Sequence, residues 1–182
     1  IGKDTAVELA HRGATIAIHY RSDEAGALET QRLVREAGGH AEIFHAELTD
    51  FSNLDRLFSA LEKQFGGLDI LVNNAGATKA GNFLEQPDAV WMEGFALKFF
   101  GAVRLSRLFW PMLGAAQGKV VNIDGGMART PNPANLIGSS VNAAMASFSK
   151  GLSSHGIRDG VNVNTIHPGR TETDRNADLV KQ

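Results

Sequence analysis

Three short segments carry residues suited to holding a flat, phosphate-bearing ligand. Ile1-Gly2 begins a predicted helix, where backbone N–H groups and the helix dipole attract phosphate. Arg21 offers a fixed charge on a planar fork that matches phosphate geometry. Asn74-Ala75-Gly76 combines small residues, against which a flat ligand can lie, with an amide that can tie neighbouring loops. Taken alone, each segment also fits a plainer interpretation: a simple helix start, a solvated arginine and an ordinary turn.

The composition excludes several other kinds of site. None of the 182 residues is cysteine, so disulfides, thiolate nucleophiles, Cys-ligated zinc and iron–sulfur clusters are ruled out. The six histidines are scattered without a pair at helical ligand spacing, and we expect no metal site. A net charge of -2 gives no basic footprint for nucleic acid, and no apolar run is long enough for a membrane span. We therefore expect neither nucleic-acid nor membrane partners, and the absence of cysteine suits a cytoplasmic protein.

The elements that must position these segments alternate between helix and strand. The sequence predicts helices over 3–12, 23–37, 51–65, 87–113 and 138–154, with Ser22 as the N-cap of the second. It predicts strands over 14–20, 41–46, 68–73, 119–123 and 161–166. Apolar strands of this kind indicate an α/β fold: a doubly wound, three-layer parallel sheet covered on both faces. Ligands bind beyond the carboxyl ends of such strands, so the informative residues should follow strands.

The run Leu68–Gly76, LDILVNNAG, resembles the strand and loop that mark the short-chain dehydrogenase/reductase family. The order of the other elements fits that family along essentially the whole chain. The resemblance implies one Rossmann-type, dinucleotide-binding domain over 1–182 that is incomplete at both ends. Gly2 would be the last glycine of a phosphate-binding loop, and the first strand of the sheet would be missing from this sequence.

The resemblance also implies a nicotinamide cofactor. Tyr20 stands where NAD-preferring members often carry an acidic residue, and Arg21 and Ser22 follow it, which favours NADP(H) over NAD(H). Glu47 stands at the adenine-binding carboxylate, and Pro168-Gly169 would border the nicotinamide. The full set of cofactor-binding residues that the resemblance implies is Ile1, Gly2, Tyr20, Arg21, Ser22, Glu47, Leu48, Asn74, Ala75, Gly76, Asn142, Pro168, Gly169, Thr171 and Thr173.

The family's catalytic positions hold different residues here. Family members use a tyrosine, a lysine four residues later, a serine thirteen residues before the tyrosine and an asparagine on the preceding long helix. In this chain the tyrosine and lysine positions are Gly138 and Asn142, the serine position is Gly125 and the asparagine position is Lys98. Tyr20, the only tyrosine, would lie at the adenosine end of the cofactor and could not substitute.

Lys98, Asp124 and Ser139 are the candidates to replace the missing catalytic groups. Lys98 would reach the place of the usual lysine if the long helix passes the nicotinamide; otherwise its ammonium reaches solvent. Asp124 could act as an acid if it is buried, or bond the backbone of its loop. Ser139 could hold a substrate oxygen or cap the helix start. His167 ends a strand, but a histidine before Pro-Gly is common in the family without a proton role.

Two functions follow from these residues. The first is an NADP(H)-dependent oxidoreductase of short-chain type acting on a carbonyl or alcohol. The second is a catalytically inactive family member that binds a dinucleotide and serves as a partner or regulatory subunit. The resemblance further implies a homodimer or homotetramer formed through the helices over 87–113 and 138–154.

Overall fold

The computed structural model describes residues 1–169 and Thr171, and for Phe51 only the backbone. Contacts divide the chain into two compact units, Ile1–Gly66 and Gly67–Gln182, which are described in turn. In the described part of the chain, no helix is long and apolar enough to cross a membrane.

The first unit packs three helices with two parallel strands. Its elements are α1 (Gly2–His11), β1 (Thr15–Tyr20), α2 (Glu24–Glu36), β2 (His40–His45) and α3 (Phe51–Phe65). β1 and β2 pair in parallel, with Thr15 opposite His40 and Tyr20 opposite His45. One buried cluster consists of Ala10, Val34 and Ala41, against which Ala6, Val7, Ile16 and Ile18 pack.

The start of α2 differs from the prediction. Asp23, not Ser22, is the N-cap, and its Oδ1 accepts a hydrogen bond of 2.9 Å from Gly26 N. An aspartate caps as well as a serine does, and its charge also interacts favourably with the positive end of the helix dipole. The predicted N-cap at Ser22 is therefore wrong, and Ser22 lies exposed in the turn after β1.

The second unit contains a three-stranded parallel sheet of order β3-β4-β5. Its elements are β3 (Ile70–Asn73), α4 (Asp88–Phe95), α5 (Gly101–Ala115), β4 (Lys119–Ile123), α6 (Leu136–Asp159) and β5 (Asn162–Ile166). A π-helical segment, Ala96–Phe100, joins α4 to α5, and two short 3-10 turns, Gly126–Ala128 and Pro133–Asn135, precede α6. The parallel strands and connecting helices in both units confirm the predicted α/β class.

Two helices in this unit differ from their predicted form. The prediction of one uninterrupted helix over 87–113 is wrong, because the π-helical segment interrupts it. The hydrophobic pattern does not register this change, since a π turn alters the hydrogen-bond spacing by a single residue. α6 is longer than predicted: it starts at Leu136, after the Asn135 cap, and ends where Gly160 adopts the left-handed conformation with φ of 73°.

A buried polar network fixes the strand ends of this unit. Asn73 Nδ2 donates to Asn122 Oδ1 at 2.8 Å, which links β3 to β4. Asn122 Nδ2 donates to Ser149 Oγ on α6 at 2.7 Å. A buried amide left without partners would be costly, so these bonds favour one register of strands and helix. The positions of the strand ends from which the loops after β3 and β4 begin are therefore held by these hydrogen bonds.

Candidate functional site

The loops after β3, β4 and β5 meet at the carboxyl edge of the sheet in the second unit. Asp124 N donates to Ile166 O at 3.1 Å, and Gly126 N donates to Pro168 O at 3.4 Å. These backbone bonds tie the segment after β4 to the segment after β5. The edge is the place where a parallel α/β sheet binds ligands, as the sequence predicts.

Lys98 points into this edge from the π-helical segment. Its Nζ donates to Asp124 O at 2.8 Å and to Asn142 Oδ1 at 2.6 Å. The aliphatic part of its side chain packs on Gly76, where a Cβ would lie 2.9 Å from Lys98 Cδ. The ammonium therefore points inward to Asn142, the residue that aligns with the family's lysine. It does not extend along the protein surface. π-helical turns are frequent at functional sites, and here one carries the inward cation.

Asn142 links Lys98 to the loop after β4. Its side chain is almost fully buried, at 3% exposure. An ammonium can only donate, so the amide oxygen must face Lys98 and the amide nitrogen must face away from it. Asn142 Nδ2 lies 2.9 Å from the point that a Cβ on Gly125 would occupy. An N–H donor thus stands where the family's serine side chain would begin.

Gly138 and Ser139 lie in the first turn of α6. A Cβ on Gly138 would lie 2.7 Å from Oδ1 of Asn135, whose side chain caps the helix by accepting from Gly138 N at 2.9 Å. Ser139 Oγ donates to Asn135 O at 2.9 Å and accepts from Asn132 N at 3.0 Å. The Ser139 hydroxyl is engaged in fixing the helix start, as one of the two sequence interpretations expects.

Asp124 and His167 form a close pair beneath the loops. The Asp124 side chain is fully buried, and His167 Nδ1 lies 2.5 Å from its Oδ1. The two atoms are at ion-pair distance without the alignment of a hydrogen bond, and Asp124 Oδ2 has no partner among the described residues. Gly125 N also donates to Oδ1. Asp124 therefore bonds the backbone of its loop while facing an imidazole.

Sequence reasoning had not linked Asp124 to His167. The signal lies in the strand register. Ile123 of β4 pairs with Ile166 of β5, so the residues that follow them, Asp124 and His167, lie side by side. A correct register between two strands of a parallel sheet would have been needed to find the pair.

In the first unit, the predicted adenosine-side residues lie at the carboxyl ends of β1 and β2. The Tyr20 ring lies 5.4 Å from the ring of His45, and its hydroxyl donates to Glu24 Oε1 at 3.3 Å. Desolvation and the Glu24 carboxylate raise the pKa of Tyr20, which makes it a poorer proton donor. Arg21 is exposed, and its Nε lies 3.9 Å from Glu47 Oε2.

Glu47 is held mainly by its own loop. Its Oε1 accepts from Thr49 N at 3.1 Å and from Thr49 Oγ1 at 2.9 Å, while Leu48 beside it is buried. Ile1 and Gly2 lie at the N-terminus of the ten-residue α1. These positions offer N–H and guanidinium donors, which fit a phosphate, and a loop carboxylate acceptor, which fits the adenosine part of a dinucleotide.

The remaining predicted cofactor residues follow β3 and β5. Asn74, Ala75 and Gly76 form the loop after β3, in which Ala75 is exposed. Thr171 Oγ1 donates to Gly169 O at 3.3 Å, beside Pro168. Thr173 lies outside the described residues. Within the described part of the chain, no group of three or more histidine, aspartate or glutamate side chains could hold a metal ion.

Parallel strands joined by helices, with a small-residue loop at their carboxyl ends, define a Rossmann-type protein of the kind that binds dinucleotides. The sequence matches the short chain dehydrogenase family over residues 1–182. The chain belongs to this family of oxidoreductases.

The relatives span several named activities. Nodulation protein G of Rhizobium sp. (strain N33) is 33% identical over 174 residues, which are 95% of this chain and 69% of the relative. Acetoacetyl-CoA reductase of Allochromatium vinosum is 30% identical over 175 residues, 95% of this chain and 71% of the relative. An uncharacterized oxidoreductase of Bacillus subtilis is 31% identical over 177 residues, and the chain spans 65% of its length.

Solved structures agree with the fold. The crystal structure of acetoin dehydrogenase from Enterobacter cloacae superposes with a TM-score of 0.88 at 32% identity, covering 100% of this chain and 72% of that one. The chain thus spans about two thirds of the length of the relatives that it matches.

Proposed function

We propose that this protein is an NADP(H)-dependent oxidoreductase acting on a carbonyl or alcohol, in a single cytoplasmic domain. The observation that carries the proposal is the inward ammonium of Lys98, which bonds Asn142 Oδ1 at 2.6 Å at the carboxyl edge of the sheet. A cation held there serves two tasks: it binds the hydroxyls of a nicotinamide ribose, and it stabilises negative charge on a substrate oxygen.

The chemistry divides between cofactor and chain. Bound NADP(H) would supply or accept the hydride. Lys98 and Asn142 would hold the ribose and the substrate oxygen, and Asn74–Gly76 would leave space for the flat ring. Asp124 supports Lys98 through its backbone carbonyl, 2.8 Å from Nζ. Preorganised donors of this kind act where charge develops in the transition state, which is where they contribute most to rate.

NADP(H) is favoured over NAD(H) by the end of β1. The Tyr20 position itself carries no carboxylate to repel a 2′-phosphate, the nearby Glu24 carboxylate accepts from the Tyr20 hydroxyl, and the Arg21 guanidinium is exposed. Arg21 is only loosely paired with Glu47, at 3.9 Å, and a doubly charged phosphate is the stronger partner for a guanidinium. Arg21→Ala should therefore weaken NADPH binding and leave NADH binding unchanged.

The second candidate is a non-catalytic dinucleotide-binding member. Gly125 and Gly138 favour it, because they remove both hydroxyls of the family pattern, and adjacent asparagine side chains occupy the space where either Cβ would stand. Loss of a placed general acid typically costs about 10²–10⁴-fold in rate. Such a protein would bind cofactor and act through a partner.

Calorimetry and turnover on the full-length protein separate the two candidates. We expect NADPH to bind more tightly than NADH, and NADPH to be consumed with at least one member of a carbonyl panel. Lys98→Met should remove that turnover, whereas the exposed Lys63→Met, which makes the same change in α3, should not. NADPH binding without turnover on any carbonyl supports the non-catalytic candidate, and no dinucleotide binding contradicts both.

A further inference from the structure

Among the described residues, the side-chain donors closest to Gly125 are nitrogen donors. The two positions that carry hydroxyls in the family pattern are Gly125 and Gly138, and the Ser139 hydroxyl is used by backbone groups of the α6 start. Near Gly125 stand the amide nitrogen of Asn142 and the ammonium of Lys98. An amide N–H donates a hydrogen bond but does not give up its proton.

The hydrogen bond between Lys98 and Asn142 strengthens the Asn142 amide as a donor to an anion. With the ammonium on Oδ1, the amide is polarised and its N–H becomes a stronger donor. The side chain of Asn142 is also held in place, because it is 3% exposed and its oxygen is fixed at 2.6 Å from Nζ. The pair therefore forms a preorganised anion-binding donor, suited to an oxygen that gains charge and keeps it.

We propose that the substrate is a conjugated carbonyl compound, an enone or a quinone, whose delocalised oxyanion is bound by Asn142 Nδ2 with Lys98 behind it. This inference rests on the proposed function. Hydride addition to a saturated ketone gives an alkoxide, whose conjugate acid is about as weak an acid as water. A quinone gives a phenolate-type anion, whose conjugate acid has a pKa of about 10. The second anion persists without a proton donor at the oxygen.

Atoms and electrons balance when an enone is reduced in this way. The β-carbon of an enone accepts hydride from NADPH, the C=C π pair shifts so that negative charge rests on the carbonyl oxygen, and NADP⁺ is the oxidised product. Asn142 Nδ2 binds that enolate oxygen, while Lys98 holds Oδ1 on the other side of the amide. Water then protonates the α-carbon and is released as hydroxide, and the saturated ketone leaves. No side-chain hydroxyl takes part in either step.

The test compares 2-cyclohexenone with cyclohexanone on the full-length protein with NADPH. We expect kcat/KM to be at least about 100-fold higher for the enone, since a placed general acid, which only the ketone needs, is worth about 10²–10⁴-fold. With NADPH deuterated at the transferred position, the label should appear on the β-carbon of the product. Equal rates for both substrates, or label on the carbonyl carbon, would overturn the inference and leave the proposed function standing.

Asn142→Asp tests the donor itself, because it keeps the shape and replaces the N–H by an oxygen. We expect about 10²-fold loss of kcat on 2-cyclohexenone at saturating NADPH, the effect typical of removing one oxyanion donor, together with weaker NADPH binding because Asn142 also holds the ribose. Asn162→Asp makes the same change on an exposed position of β5 and should leave both values unchanged. An unchanged kcat in Asn142→Asp contradicts the inference, and NADPH binding with no reduction of either substrate contradicts the proposed function as well.

Discussion

Lys98 and Asn142 are exchanged in type relative to the family pattern, which has asparagine at the first position and lysine at the second. Their side chains meet although they are 44 residues apart in sequence. The ammonium and the amide are thus both retained, with their points of attachment reversed. The accompanying glycines are consistent with this exchange: Gly76 lies under the Lys98 side chain, and Gly125 leaves space for Asn142.

The buried pair of Asp124 and His167 makes a residue-scale prediction about stability. His167→Phe removes the imidazole and leaves the buried Asp124 carboxyl with the Gly125 N–H as its partner, so we expect a loss of about 1–3 kcal/mol in the free energy of unfolding. His167→Asn places an amide N–H close to the position of Nδ1 and should recover part of that loss. Urea denaturation of the three proteins provides the measurement, and equal stability of wild type and His167→Phe would contradict the pairing.

His19 predicts a pH dependence of stability. Burial lowers its pKa, opposed in part by the Ala46 carbonyl, which lies 2.8 Å from Nε2. The unfolded chain therefore takes up this proton at a higher pH than the folded chain does. The contribution of His19 is present above the ordinary imidazole pKa of about 6.5 and is lost as the pH falls from there through the lower folded pKa.

The variant His19→Gln isolates this effect, because glutamine can still donate to Ala46 O but does not titrate. Unfolding free energies at about pH 7.5 and about pH 5.5 should fall further in wild type than in His19→Gln, since these values bracket the ordinary imidazole pKa. The opposite order, or equal losses, would show that His19 is not the group responsible.

At the scale of elements, α6 depends on the loop that precedes it. Asn135 Oδ1 accepts from Gly138 N at 2.9 Å, and this bond defines the helix start. Asn135→Ala should cost about 1 kcal/mol of stability, whereas Asn135→Asp keeps the acceptor and should cost less. Thermal or urea unfolding measures both variants, with Asn162→Ala as a control at an exposed amide. A loss in Asn135→Ala no larger than that in the control would mean that the cap contributes nothing.

Several elements could be predicted from sequence alone. The predicted bounds of α3 and β4, 51–65 and 119–123, are those of the structure, because clear hydrophobic periodicity and terminal glycines mark them. The α2 cap at Asp23 was missed because neighbouring Ser22 is an equally good capping residue. The π-helical segment was missed because hydrophobic periodicity is insensitive to one residue of hydrogen-bond spacing.

The site could be predicted only in part. Alignment to the family pattern identified Lys98, Gly125, Gly138 and Asn142 as the altered positions. The direction of the Lys98 side chain depends on the π-helical segment and on Gly76, neither of which the pattern specifies. The Asp124–His167 contact depends on strand register, which single-sequence reasoning does not supply. Contacts between distant residues are the part that sequence patterns leave open.

At the scale of the whole molecule, we propose an association of copies through the second unit, where an exposed aromatic residue lies on the helices concerned. Phe99 on the π-helical segment packs against Phe148 of α6, with ring centroids 5.9 Å apart. Phe100 beside it is 42% exposed, and the Arg104 guanidinium lies 5.7 Å from its ring centroid. These side chains belong to the helices through which the family resemblance implies a dimer or tetramer.

Phe100→Glu tests this association, since it would bury a carboxylate in the proposed interface. Analytical ultracentrifugation should show a dimer or tetramer for the full-length wild type and a shift toward monomer for the variant. Leu28→Glu replaces an apolar residue of α2 that is 49% exposed and should leave the assembly intact. A wild-type monomer, or an unaltered assembly in Phe100→Glu, would contradict the proposal.

The contact between Lys98 and Asn142 also constrains how such a chain can arise by mutation. Lys98→Asn alone would leave two amides and no cation. Asn142→Lys alone would bring two ammonium groups together, and like charges about 4 Å apart near a protein surface repel by about 4 kcal/mol. Either single change breaks the pair, and the double variant Lys98→Asn with Asn142→Lys would restore one ammonium and one amide.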